Sequence, residues 1–234
     1  MTLQYNSMQP TAQRAPRLMP AVSLGVMNAD KTQIAGWKTV ADWQITKQAL
    51  VVGGDRGPWA SACKDYFQER LRLRYLNPIR LLQENGTFQG EGFSILAIQC
   101  TLIEFLESTV QGLTYRYLRK GETLGAFEYS VSSALFTHFL CNRAPFSATF
   151  TEPLAADFYS SIRCGLLHEA RIKNGWRVRA KGPPGVIVDE PSKKVYRNNF
   201  QDALDQFIAW YTGQLPVDRG LQEAFLRKFD SLCL

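Results

Sequence analysis

The chain has no Cys-x-x-Cys pair, no long block of Lys and Arg, and only two histidines in 234 residues. Its five cysteines, Cys63, Cys100, Cys141, Cys164 and Cys233, are odd in number and far apart. That pattern indicates neither a disulfide framework nor a zinc site, and it predicts a reduced, cytoplasmic protein. No cluster of carboxylates and histidines stands at metal-ligand spacing, so no cofactor is expected. The longest apolar runs fall short of the ~20 residues that cross a bilayer. The N-terminus has no continuous apolar stretch of the signal-peptide kind, so no membrane partner is expected. Gly53-Gly54-Asp55-Arg56-Gly57 lacks both the Lys-Ser/Thr of a phosphate-binding loop and the full dinucleotide pattern.

What is present is a globular composition, with 45% hydrophobic and 21% charged residues. The net charge of +6 favours an anionic partner, with nucleic acid first in line. The plainer reading is that modest basicity aids solubility, since no basic block concentrates the charge.

Punctuation and periodicity predict a mainly α protein. Residues 1 to about 20 carry Pro10, Pro16 and Pro20 and read as a loose arm. From Val22 to Val52 the pattern is mixed, and a helix and short strands both satisfy it. After the break at 53–58, residues 59–82 repeat apolar positions at helical spacing, and Asn77-Pro78 marks a kink or a boundary. Residues 93–117 form the most apolar segment, a central helix in which Glu104 and Glu107 are rare charges. A further helix is expected over 127–139. Thr151-Glu152-Pro153 starts another, which is expected to run to about Lys173 and stop at Asn174-Gly175. Residues 176–179 and 186–188, joined by Gly182-Pro183-Pro184-Gly185, read as a small late β-hairpin. A last helix is expected from Asn198 or Asn199 through Tyr211, followed by a tail over 225–232. The division is an N-terminal extension over 1–57 and a helical domain over 58–234.

Within the 151–173 helix lies Arg163-Cys164-Gly165-Leu166-Leu167-His168. On a straight helix five residues turn the direction by about 140°, so Arg163 and His168 do not share a face. They meet at one substrate only if the helix is distorted or two copies face each other. Gly165 costs a helix interior up to ~1 kcal/mol relative to Ala, which points to close approach of another backbone or a ligand, and hence to a helix–helix contact. His138, flanked by Phe136, Phe139 and Leu140, reads as a core or boundary residue. Glu104 either pairs with a cation such as Arg163 or points to solvent.

This Arg-x4-His, late in a compact helical domain, resembles the signature of the HEPN superfamily of ribonucleases. The likeness covers roughly residues 93–211, with Cys164 where the family usually has a polar residue. The resemblance implies a HEPN-like helical bundle that cleaves RNA without a metal, at a composite site of two motifs in a homodimer. His168 would move protons and Arg163 would stabilise the phosphate. Attack by the 2′-OH needs a base, an acid for the leaving 5′-oxygen and positive charge on the pentacovalent phosphate, and two chains complete that set. Arg171, Lys173 and Arg177 would track the backbone of a single-stranded RNA or tRNA, or else form a solvated basic face near a helix end. Such proteins often act as toxins or anti-phage effectors, which adds an antitoxin or regulatory partner to the expectations. The alternatives are a non-catalytic helical RNA-binding or adaptor protein and a helical scaffold subunit.

Overall fold

The computed structural model describes residues 29–87 and 89–233. The expected N-terminal arm lies outside the described residues. The protein is mainly α, with seven helices and three small sheets among the described residues. Helix α1 is Val40–Gln48, α2 spans 56–84, α3 is Glu91–Gln111 and α4 is Ser132–Asn142. Helix α5 spans 152–169, α6 is Arg197–Gln214 and α7 is Arg219–Ser231.

The ambiguous stretch before residue 52 holds both of the structures its pattern allows. Strands β1 (Gln33–Ala35) and β2 (Lys38–Thr39) pair antiparallel and lead straight into α1. Thr39 caps that helix: its hydroxyl accepts from the Asp42 N–H while the Asp42 carboxylate accepts from the Thr39 N–H, satisfying two orphan donors reciprocally. Ile34, Trp43 and Leu50 are buried in the same core as the later helices, so from Ile34 onward the N-terminal extension is part of the packed body.

Helix α3 is the spine. It packs against α2, α4, α5, α6 and α7, which is why it is apolar on more than one side. It is the one described helix long and apolar enough to cross a membrane by length and composition, and here it is enclosed by its neighbours. It ends at Gly112 in the left-handed conformation, where an added Cβ would sit 2.7 Å from the Ala224 Cα of α7. Both the dihedral and the close approach require glycine there. Aromatic residues fill the core on either side of the spine. Trp43, Trp59, Tyr66, Phe225 and Phe229 cluster at one end, and Phe136, Phe139, Phe146, Phe158, Phe200 and Phe207 at the other.

Several expectations are corrected. The central helix ends at Gln111 rather than near Tyr117, and the helix expected over 127–139 is Ser132–Asn142, with Glu128–Tyr129 in a strand. The segment 225–232 is no tail but most of helix α7. Asp218 caps it by accepting from the Leu221 N–H at 2.9 Å, and its Phe225 and Phe229 are fully buried. The two predicted hairpin strands do not pair with each other. Strand β5 (Arg177–Arg179) runs parallel to β7 (Lys194–Tyr196), which pairs antiparallel with β6 (Val188–Asp189), giving the order β5-β7-β6. The third strand, in Lys-Lys-Val-Tyr, was too short and too close to the helix start to stand out. Helix α5 stops at Glu169 rather than Lys173, because Ala170 adopts the left-handed conformation with φ 51°. The remaining small sheet pairs β3 (Thr114–Tyr115) with β4 (Glu128–Tyr129) in parallel.

Helices α2 and α5 contain wide π turns, at Cys63–Gln68 and Arg72–Leu76 in α2 and at Tyr159–Arg163 in α5. The second one precedes Pro78, which lacks an N–H and crowds the carbonyl four residues back. The wide turn lets the helix continue through Asn77-Pro78 instead of ending there.

Candidate functional site

Arg163 is the last residue of the wide turn in α5, and its side chain points inward to α3. The guanidinium lies over the Tyr159 ring at 5.2 Å, and its Nη2 is 3.6 Å from Glu104 Oε2. Glu104 also accepts from the Tyr129 hydroxyl at 2.9 Å and the Ser132 hydroxyl at 2.8 Å. Burial, and then the Glu104 charge, push the Tyr129 phenol above its ordinary range, so it stays a donor. Of the two sequence alternatives for Glu104, pairing with Arg163 is what the fold contains.

The His168 imidazole is exposed and makes no hydrogen bond to any described residue. The stretch Cys164–Glu169 is regular α-helix, so the distortion in α5 ends at Arg163 and does not rotate His168 toward it. One chain presents an inward, anchored arginine and an outward, free histidine.

The reason for Gly165 differs from the expected helix–helix contact. An added Cβ would lie 2.5 Å from the Arg171 carbonyl oxygen of the same chain. After Ala170 the chain turns back along α5: the Arg171 N–H donates to the Gly165 carbonyl at 3.2 Å and the Lys173 N–H to the Ser161 carbonyl at 3.0 Å. The Asn174 amide donates to the Ser161 hydroxyl at 2.8 Å, and the Trp176 indole N–H to Asp157 at 2.9 Å. The close approach is therefore local, and Gly165 carries no argument for a second copy. The same return path gives a carbonyl of the wide turn a partner outside the helix.

Of the three basic residues expected to follow RNA, two share one carboxylate. Arg171 Nε and Lys173 Nζ lie 2.8 and 3.0 Å from Glu169, whose acidity they strengthen. Arg177 is exposed on β5 with no side-chain partner among the described residues.

A second cluster escaped the sequence reading. Glu107, one turn after Glu104 on α3, is fully buried and accepts from Arg143 Nε and Nη2, both at 2.9 Å. The Gln111 amide also bonds it, and His138 Nδ1 is 2.7 Å away. This fixes the His138 ring, 46% exposed, with its Nε2 edge outward. The signal was there: two glutamates three residues apart in the most apolar helix must each find partners. Cys141 lines the same surface pocket as His138, but burial pushes its thiol above the ordinary value, so it is not an activated nucleophile. Among the described residues no group of three His, Cys, Asp or Glu side chains gathers in a way that could hold a metal ion.

No family model, no curated protein and no solved structure matches the chain.

Proposed function

We propose that this chain is a metal-independent endoribonuclease of the HEPN type whose site is completed by two copies of α5. The observation that carries this reading is the division of labour along that helix. Arg163 is held by Glu104 and Tyr159 at a fixed place, while His168, five residues on, is exposed and unpartnered. Each copy offers half of what phosphodiester cleavage needs. In the pair, one His168 takes the proton of the 2′-OH and the other protonates the leaving 5′-oxygen, while the guanidiniums stabilise the charge on phosphorus. The products are a 2′,3′-cyclic phosphate and a free 5′-hydroxyl. Arg177, and Arg171 and Lys173 in part, then guide single-stranded RNA or tRNA to the cleft. A toxin or anti-phage effector held by a regulatory partner fits such an activity.

The test is incubation of the protein with single-stranded RNA and tRNA in EDTA, alongside His168→Ala and Arg163→Ala. Wild type is expected to leave cyclic-phosphate ends, and each variant to lose at least ~100-fold in rate. Absence of cyclic-phosphate ends, or equal cutting by the variants, sinks the proposal.

A second reading, a non-catalytic helical RNA-binding or adaptor protein, is favoured by the ion pair at Arg163. A guanidinium 3.6 Å from a carboxylate has less charge to offer a phosphate. Unchanged RNA retention by both variants, with no cutting by wild type, is its signature.

A further inference from the structure

The N-terminal end of the spine helix borders a cavity of about 390 Å³, lined by Gly90 just before α3, Gly92 and Phe93 of α3, Val178 and Arg179 of β5 and Arg197 of α6, with Glu91 and Ala180 beside them. The helix is uncapped there: Gly90, with φ 123°, offers no side chain to the first-turn N–H groups. Orphan N–H groups and the positive end of a 21-residue helix favour an anion. By itself that is common to many helices. Arg197 makes this end different.

Arg197 is the first residue of α6 and only 7% exposed, yet among the described residues its guanidinium forms no ion pair or hydrogen bond. Its Nη1 is buried without a partner. Its Cδ and Nε lie 3.7 Å from where a Gly92 Cβ would be, so the side chain runs over the uncapped turn, and only a small residue there leaves the passage open. A buried cation without a counterion is strongly unfavourable, and among the described residues nothing supplies the negative charge. The one carboxylate at the cavity does not fill that role, because Glu91 turns back to accept from the Gln89 N–H at 2.9 Å. Arg179, exposed at the rim, adds a second guanidinium. Two guanidiniums and a helix N-terminus match the several oxygens of a phosphate better than a single-point anion. Phe93, 43% exposed at the mouth, offers an apolar ring of the kind on which a nucleobase stacks.

We propose that this cavity binds the terminal phosphate of a nucleotide, with the phosphate between Arg197, Arg179 and the first turn of α3 and the base on Phe93. The nucleotide is either free or the 5′-phosphorylated end of an RNA. The proposal stands on residues remote in sequence from Arg163 and His168 and does not rest on the ribonuclease reading.

Calorimetric titration of the full chain tests it with inorganic phosphate, AMP, adenosine, and one oligoribonucleotide in 5′-phosphorylated and 5′-hydroxyl forms. Phosphate is expected to bind at ~1 mM, AMP at least ~10-fold tighter, and adenosine not measurably. Arg197→Met removes an unpaired buried cation and keeps an apolar stem of similar length, so it should leave the unfolding temperature unchanged or raised. It should weaken AMP binding by at least ~30-fold. Arg179→Ala, at an exposed site, should weaken AMP by ~5-fold with no change in unfolding temperature. Phe93→Ala should remove the preference for AMP over phosphate and leave phosphate binding in place. Preference for the 5′-phosphorylated oligonucleotide over AMP identifies an RNA end, and the reverse identifies a free nucleotide; either supports the site. Failure of wild type to bind both phosphate and AMP at ~10 mM overturns it. So does binding of AMP by Arg197→Met or Arg179→Ala as tight as by wild type.

Discussion

His138 and Arg143 are five residues apart in the chain, and so are Arg163 and His168, but the two pairs end in opposite arrangements. The first pair converges: both side chains reach the buried Glu107 carboxylate from α4. The second pair diverges, with Arg163 inward on Glu104 and His168 exposed. The difference lies in where the helix ends. Arg143 is the C-cap of α4, with extended backbone (φ −107°, ψ 123°), so the chain leaves the helix and its side chain can return to the carboxylate that His138 meets. Arg163 and His168 both stay within α5, where five residues turn by about 140°. Spacing alone therefore says little about whether two side chains can act on one atom; the helix end decides it.

The sharpest way to break this comparison is to remove the two glutamates in turn. Glu107→Ala leaves Arg143, whose side chain is 23% exposed, without its carboxylate and should destabilise by ~3 kcal/mol in urea unfolding. Glu104→Ala loses two hydrogen bonds from hydroxyls and a looser ion pair, and about 1–3 kcal/mol is expected. Equal effects would mean that the two clusters do not differ in kind. Between the glutamates on α3, Phe105 carries a cation that belongs to neither cluster. Lys228 lies 5.7 Å from that ring and donates to the Leu113 carbonyl at 2.9 Å, and burial, with Arg70 nearby, lowers it to about 8. Between about pH 8 and 10.5 the unfolded chain then holds a proton that the folded one has released. The stability of wild type relative to Lys228→Met should accordingly rise with pH across that window, by up to about 3 kcal/mol. A flat difference from pH 7 to 11 would show a lysine that titrates normally.

Gly165→Ala sharpens the comparison at the second pair. With the Arg171 carbonyl 2.5 Å from the new methyl, the returning segment must shift, and ~1–3 kcal/mol of stability should be lost in a protein kept dilute enough to be monomeric. A loss that appears only at concentrations where copies associate would instead restore the helix–helix explanation. The smallest effect is expected at the exposed imidazole. His168→Ala should change urea stability by less than ~0.5 kcal/mol, whereas His138→Ala should cost more, since it strips a partner from a buried carboxylate.

How much of this was legible in the chain depended on whether the signal was local. Thr151 and Pro153 announced the start of α5, and the Thr151 hydroxyl does accept from the Leu154 N–H at 3.4 Å. The apolar faces of residues 93–111 announced a helix packed from several sides. Its end at Gly112 was hidden because Leu113, Tyr115 and Tyr117 prolong the apolar pattern after the helix has stopped. Ala170 gave no warning that it would end α5, since an alanine takes the left-handed conformation only when tertiary bonds, here those from Arg171 and Lys173, hold it there. The pairing of Glu104 with Arg163 could be guessed from two charges in apolar company. For Glu107 the same signal said only that partners must exist; which ones could not be read, because they come from α4 and from the helix end at residue 143.

The wide turn at Tyr159–Arg163 has a bearing on descent as well as on shape. Such a turn is a helix carrying one surplus residue. Excision of a single position there, Ser160 on the solvent side for instance, would reset the phase of the helix and swing Arg163 and everything after it by about 100° relative to Phe158. Two chains with the same Arg and His letters but one residue more or less upstream would aim them at different neighbours. In any lineage of this protein, the count of residues between Phe158 and Arg163 matters as much as the identity of the pair.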